Sequence, residues 1–133
     1  MDEAAQIILR QANVKDKNFI LSTWLKGQYF GNSFFRNIPQ YLYFEAYAKV
    51  ITKILCTPGV DINIACDIES PDWIVGYSVF KGEEIYWMHV RKDYRRQKLA
   101  TLLITEQKPK VIKAYTKVGQ IIAQRKGLIF NPF

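Results

Sequence analysis

The chain has 133 residues, 49% of them hydrophobic and 14% aromatic, which is enough for one domain with a real core and too apolar for disorder. Its net charge of +7 is uneven: residues 1–90 carry 8 Lys/Arg against 10 Asp/Glu, whereas residues 91–133 carry 11 against 2. Such asymmetry calls for a polyanionic partner. No apolar run reaches the roughly 20 residues of a membrane span, so a membrane role is not expected. The acidic start MDEAAQ lacks the basic opening of a signal peptide, and a soluble, cytoplasmic protein is the expectation. Cys56 and Cys66 have no metal or redox spacing and read as reduced and buried.

In chain order, Ile7, Ile8 and Leu9, ending at Arg10, suit a first strand. Asp16 is placed to cap a helix from Lys17 whose Phe19, Ile20, Thr23 and Trp24 share a face, with Gly27 as its end. Tyr29 to Pro39 reads as a structured, aromatic loop. A second helix is predicted from Gln40 to Leu55, with Phe44, Tyr47, Ala48, Ile51 and Leu55 facing inward and Pro58-Gly59 beyond it. In VDINIAC, Val60, Ile62, Ile64 and Cys66 alternate as a strand; Asp67 to Asp72 reads as a turn, and Trp73 to Phe80 as the next strand. Lys81-Gly82 marks a hairpin leading into Glu84 to Val90.

That last strand begins the most informative stretch. Ile85, Tyr86, Trp87, Met88 and Val90 form an apolar run broken only by His89, as in a strand covered on both faces. Arg95, Arg96 and Lys98 follow within four residues, and Leu99, Ala100, Leu102 and Leu103 then take helical spacing as far as about Gln107. A basic loop between a strand and a helix N-terminus points free amides forward and is a phosphate-binding arrangement. Beyond Pro109, Val111, Ile112 and Tyr115 suggest a fifth strand. Val118, Ile121, Ile122 and Arg125 lie along a last helix ended by Gly127, and Leu128 to Phe130 form a terminal strand.

At Val90 and Arg95-Arg96-Gln97-Lys98-Leu99-Ala100 the sequence resembles the GNAT superfamily of acetyl-coenzyme A-dependent acyltransferases. The superfamily's central motif is a strand ending in a hydrophobic residue, then Arg/Gln-x-x-Gly-x-Gly/Ala opening a helix. First and last positions fit; Lys98 stands at the glycine position. The order β-α-α-β-β-β-α-β-α-β matches the superfamily over the whole chain. The resemblance therefore implies a single GNAT-like α/β domain over residues 1–133, with a mixed sheet. The opening and the closing IFNPF also resemble small acetyltransferase-like proteins encoded by bacteriophages.

From this resemblance follow the expected roles. Amides and cations of Arg95, Arg96, Gln97, Lys98, Leu99 and Ala100 would hold the pyrophosphate of coenzyme A, and Met88 to Val90 would pair with its pantetheine arm. A backbone N–H near a bulge around Met88 to Val90 would receive the oxyanion. His89, with an ordinary pKa of about 6.5, is a candidate base beside the thioester; its alternative is a strand histidine facing a polar neighbour. Glu84 is a second candidate, through water, and Glu45 reads as a solvated helix carboxylate. The superfamily pattern resembling LYEKLGF aligns Ala123 where many members carry a tyrosine acid, which leaves Tyr115 as the substitute. Nine of the 19 aromatics fall between Trp24 and Tyr47, where the superfamily builds its acceptor pocket; an aromatic wall there suits a hydrophobic or peptide-like acceptor, and core packing accounts for about two-thirds of them equally well. The function implied is transfer of acetyl from acetyl-CoA to an amine or protein acceptor. A catalytically degenerate, protein-binding relative and a nucleic-acid binder using the basic C-terminal third are the rivals.

Overall fold

The computed structural model describes residues 6–94, 99, 102, 103 and 108–133. Six strands form one sheet in chain order: β1 (Ile7–Gln11), β2 (Val60–Asp67), β3 (Ser70–Lys81), β4 (Glu84–Val90), β5 (Val111–Ile112) and β6 (Ile129–Phe130). The first four are antiparallel, and β4, β5 and β6 run parallel. The helices are α1 (Lys17–Phe30), α2 (Gln40–Leu55) and α3 (Lys117–Lys126), and Leu99, Leu102 and Leu103 are also helical.

The period-2 pattern of β2 sorts its residues between two cores. Ile64 and Cys66 face α1 and α2, joining Ile20, Trp24, Tyr29, Tyr43 and Ile51 over Tyr77, Val79, Ile85 and Trp87. Ala65 faces the opposite way and packs with Val75, Leu99 and Leu103, which Met88 and Val90 border. The sheet is thus covered on both faces, as the apolar run of β4 requires.

Several boundaries differ from the sequence reading for identifiable reasons. Gly27 does not end α1; the helix runs on to Phe30, because the indole of Trp87 packs against Gly27, where a Cβ would stand 2.7 Å from Cζ2. Asp16 does not cap α1 through its side chain. Its buried carboxylate instead takes both guanidinium nitrogens of Arg10 (2.7 and 2.9 Å) and the Asn13 N–H (2.8 Å). Strand β3 begins at Ser70 rather than Trp73, since register shifts on either side of Cys66 accommodate Pro71 at the strand's start. Tyr115 lies beyond β5, in the turn before α3. Cys66 is buried, but Cys56, just past α2, is exposed; both are free thiols. Tyr43, unremarked in the sequence, is the deepest aromatic of α2 and donates its hydroxyl to the Leu25 carbonyl (2.9 Å).

Hydrogen bonding to Arg10, and then to the Asn13 amide, holds the Asp16 carboxyl below its ordinary range despite burial. Arg10 also reaches the Pro71 carbonyl through Nε and Nη2, so this pair ties β1, the turn before α1 and the start of β3. A depressed folded pKa contributes stability above the unfolded value, about 3.9, that is lost as pH falls through the folded value. Asp16→Asn is expected to cost about 2–3 kcal/mol at pH 7. Urea melts should show the gap between variant and wild type narrowing as pH falls below about 3.9.

Candidate functional site

Strand β4 is paired unequally on its two edges. The Arg91 N–H donates to the Val75 carbonyl (2.8 Å), which continues the β3 ladder and fixes the alternation. Trp87 and His89 turn their backbone groups toward β3, while Met88 and Val90 turn theirs toward β5. Yet β5 pairs with β4 only at Glu84↔Val111 and Ile85↔Ile112, followed by Lys113 N–H to the Ile85 carbonyl (2.8 Å). Beyond that point, among the described residues, the two strands part.

A cavity of about 300 Å³ occupies the gap. Trp87 to Val90 form one wall, Ile112 and Ala114 the other; Thr116, Val118, Gly119 and Ile122 close it from α3, and Gly27 and Gly31 from α1. Glycine lets each helix sit close over the cavity, Gly119 against the segment that enters α3 and Gly31 against its cap. At Gly119 a Cβ would stand 2.2 Å from the Ala114 carbonyl oxygen, and at Gly31 it would stand 3.2 Å from Thr116 Cγ2. Thr116 caps α3 by accepting the Gly119 N–H (2.9 Å). The Lys117 N–H donates to the Gly31 carbonyl (3.2 Å) and Asn32 Nδ2 to the Tyr115 carbonyl (3.0 Å), so the end of α1 and the start of α3 meet over the cavity.

The expected site residues distribute as follows. Met88, His89 and Val90 line the cavity. The His89 ring lies edge-on to Phe19 (centroids 5.9 Å) and tilted against Tyr77 (5.6 Å). Burial pushes the Tyr77 phenol far above its ordinary pKa, against the pull of its Thr23 hydrogen bond (2.7 Å), so it stands neutral beneath the histidine. Glu84 sits at the other end of β4, paired with Lys81 across the hairpin and five residues, about 16 Å, from His89. Tyr115 is outside the cavity, its ring against Phe35 (5.9 Å) and Phe130 (6.1 Å). Glu45 is solvent-exposed on α2. Leu99 is buried in the second core, so only its backbone could serve a ligand. Arg95, Arg96, Gln97, Lys98 and Ala100 lie outside the described residues.

The bulge in β4 falls earlier than expected. Val79 pairs with Trp87 and Phe80 with Ile85, leaving Tyr86 as the extra residue. The aromatics between Trp24 and Tyr47 do not line the cavity: Tyr29, Phe35, Tyr43, Phe44 and Tyr47 interlock with centroids 4.9–6.1 Å apart and bind α1 to α2. Gly27, Gly31, Thr116 and Gly119 were not among the expected site residues. The one local signal was Thr116-x-x-Gly119, a cap followed by a small residue at the third helical position.

No family model and no curated protein matches the sequence. Solved structures do match the fold. A protein from Pyrococcus furiosus assigned as an acetyl transferase aligns over 94% of this chain and 79% of its own, with TM-score 0.62 and 13% identity. An acetyltransferase of the GNAT family from Staphylococcus aureus Mu50 aligns over 77% and 63%, with TM-score 0.54 and 20% identity, so the matched chain spans less than two thirds of that protein. AAC(6')-Iy, solved with the bisubstrate analogue CoA-S-monomethyl-acetylneamine, aligns over 93% and 91%, with TM-score 0.51 and 15% identity. The chain has the mixed α/β fold of the GNAT acetyltransferases.

The glycine contacts reverse an ordinary helix rule. Alanine in place of glycine inside a helix normally stabilises by about 0.5–1 kcal/mol. Gly27→Ala is instead expected to destabilise by about 1–3 kcal/mol, because its Cβ drives into Trp87. Chemical denaturation beside the exposed control Gln120→Ala separates the packing effect from helix propensity.

Proposed function

We propose that this chain is an N-acetyltransferase taking acetyl-CoA as co-substrate and passing its acetyl group to an amine. The observation that carries the reading is the parting of β4 and β5. It leaves a half-paired strand edge at Met88 inside a mostly apolar cavity. A narrow arm carrying amides, such as pantetheine, suits that slot because it can pair with the strand edge as a short β-strand would. The basic run that follows β4 supplies charge for pyrophosphate at Arg95, Arg96, Gln97, Lys98, Leu99 and Ala100. The complex of AAC(6')-Iy with a CoA-containing analogue, on the same fold, supports the same choice of ligand.

In this reading the acceptor nitrogen loses a proton to His89 and attacks the thioester carbonyl carbon. The C–S bond then breaks, and the leaving thiolate takes a proton. Among the three candidates, His89 borders the slot, while Glu84 lies at the strand's far end and Tyr115 outside the slot, which favours the histidine as base. A second reading rests on Ala123, a buried residue where many superfamily members carry a tyrosine acid, and on Lys98 at the glycine position. It makes the chain a non-catalytic GNAT-fold binding protein. Among the described residues, nucleic-acid binding through the basic C-terminal third has no site geometry in its favour.

Calorimetric titration with acetyl-CoA and with CoA tests the coenzyme. Val118 is largely exposed at the cavity mouth. Val118→Trp should fill that mouth and weaken binding at least tenfold without changing the melting temperature. Arg95→Ala with Arg96→Ala should also weaken it, at about 1.5–3 kcal/mol per lost charged hydrogen bond. His89→Gln should leave affinity nearly intact and lower turnover about 100-fold. Binding without turnover in the wild type would favour the non-catalytic reading; no binding at millimolar ligand overturns the coenzyme assignment.

A further inference from the structure

Arg91 follows β4 directly, and its guanidinium is held more tightly than the surface around it requires. Its carbon centre lies 4.2 Å from the Trp73 ring centroid and 5.0 Å from that of Phe19. Its Nε donates to the Ile74 carbonyl. That leaves the two terminal nitrogens for other partners. The ion pairs among the described residues are Arg10–Asp16 and Lys110–Glu83, so no described carboxylate neutralises Arg91. Two aromatic faces and one backbone bond therefore fix a cation in place, with no described carboxylate to discharge it. An immobilised guanidinium binds an anion with little further loss of side-chain freedom, and its paired nitrogens match a carboxylate's two oxygens.

The position of this cation gives it a partner. Phe19 touches both Arg91 and His89, so the two side chains share the α1 face of β4. Val90 borders the opposite face, against Leu99 and Leu103. In the acetyltransferase reading, coenzyme phosphates held near Leu99 would approach from that face. A group reaching Arg91 would approach from the His89 side, where the proposed base places the acceptor amine.

We propose that Arg91, clamped between Phe19 and Trp73, recognises a carboxylate on the acceptor, so that the acceptor class is an amine that also bears a carboxylate. The inference rests on the acetyltransferase reading for the word acceptor; the anion site itself is testable without turnover. Trp73 is about half exposed and stacks on Arg91, which makes its indole N–H resonance a local probe, assigned by Trp73→Phe.

Titration of the protein with 4-aminobutyrate and with its uncharged carboxamide, with and without CoA, should shift that resonance saturably for the carboxylate alone. Arg91→Gln should weaken the effect at least tenfold while CoA affinity changes less than twofold; Arg91→Lys, keeping charge but not the fork, should fall between. No saturable shift in the wild type, or equal shifts from acid and amide, overturns the site. Loss of CoA affinity in Arg91→Gln makes the residue a coenzyme ligand and also overturns it. If CoA fails to bind while the carboxylate shift and its loss in Arg91→Gln persist, the anion site stands and the acetyltransferase reading fails.

Discussion

Strand β4 is paired along its whole length on one edge and over two residues on the other, and most of the architecture follows from that inequality. Backbone amides and carbonyls buried away from water need partners. A strand in the middle of a sheet that loses one neighbour halfway must find them in solvent, in side chains or in a ligand. The Met88 backbone faces that vacancy. The surrounding chain keeps the gap narrow and mostly apolar, with Ile112, Ala114, Val118 and Ile122 around it, so bulk water is a poor substitute for a matched ligand.

The helices are arranged to serve this gap. The α1 helix begins beside Tyr77 and His89, passes Trp87 at Gly27, and ends against Thr116 and Lys117. It therefore crosses the sheet rather than lying along one strand. Glycines at the crossing points allow contact distances that any Cβ would forbid. The stacked pair Trp24 and Trp87, 5.7 Å between centroids and 9° from parallel, fixes the depth at which α1 rides over β4. The aromatic cluster of α1 and α2 lies behind it as a rigid support.

The fold was largely legible because hydrophobic periodicity is a backbone property. The run from Ile85 to Val90, the alternation of Val60 to Cys66, and the breakers at Pro58-Gly59, Lys81-Gly82 and Gly127 each have a local physical cause, and each marked its element. The misses share a different cause. Gly27 reads as a helix stop until Trp87, sixty residues away in sequence, is laid against it. Asp16 is a good cap until Arg10 claims its carboxylate, a charged bond worth more than a neutral one. The aromatics from Trp24 to Tyr47 read equally as pocket wall or as core, and the choice fell to core because composition cannot say which face of a ring is covered. Of the site, the β4 residues were legible because they sit within one strand. The walls from α1 and α3 were not, since a cavity between distant segments leaves no pattern in any one of them.

The hydrogen bond from the Lys117 amide to the Gly31 carbonyl has a bearing on how the molecule comes into being. It joins the end of the first helix to the start of the last, across eighty-six residues. The contacts that join α1 to α3 over the gap are of this long-range kind, and such contacts form late because their loop entropy is lost before they are rewarded. A chain emerging from the ribosome can assemble β1, both early helices and the antiparallel β2–β4 meander before residue 117 exists. In that order of events the gap is the last part of the molecule to acquire its shape, and until residues 111–122 arrive the edge of β4 at Met88 lies open beside an otherwise folded sheet.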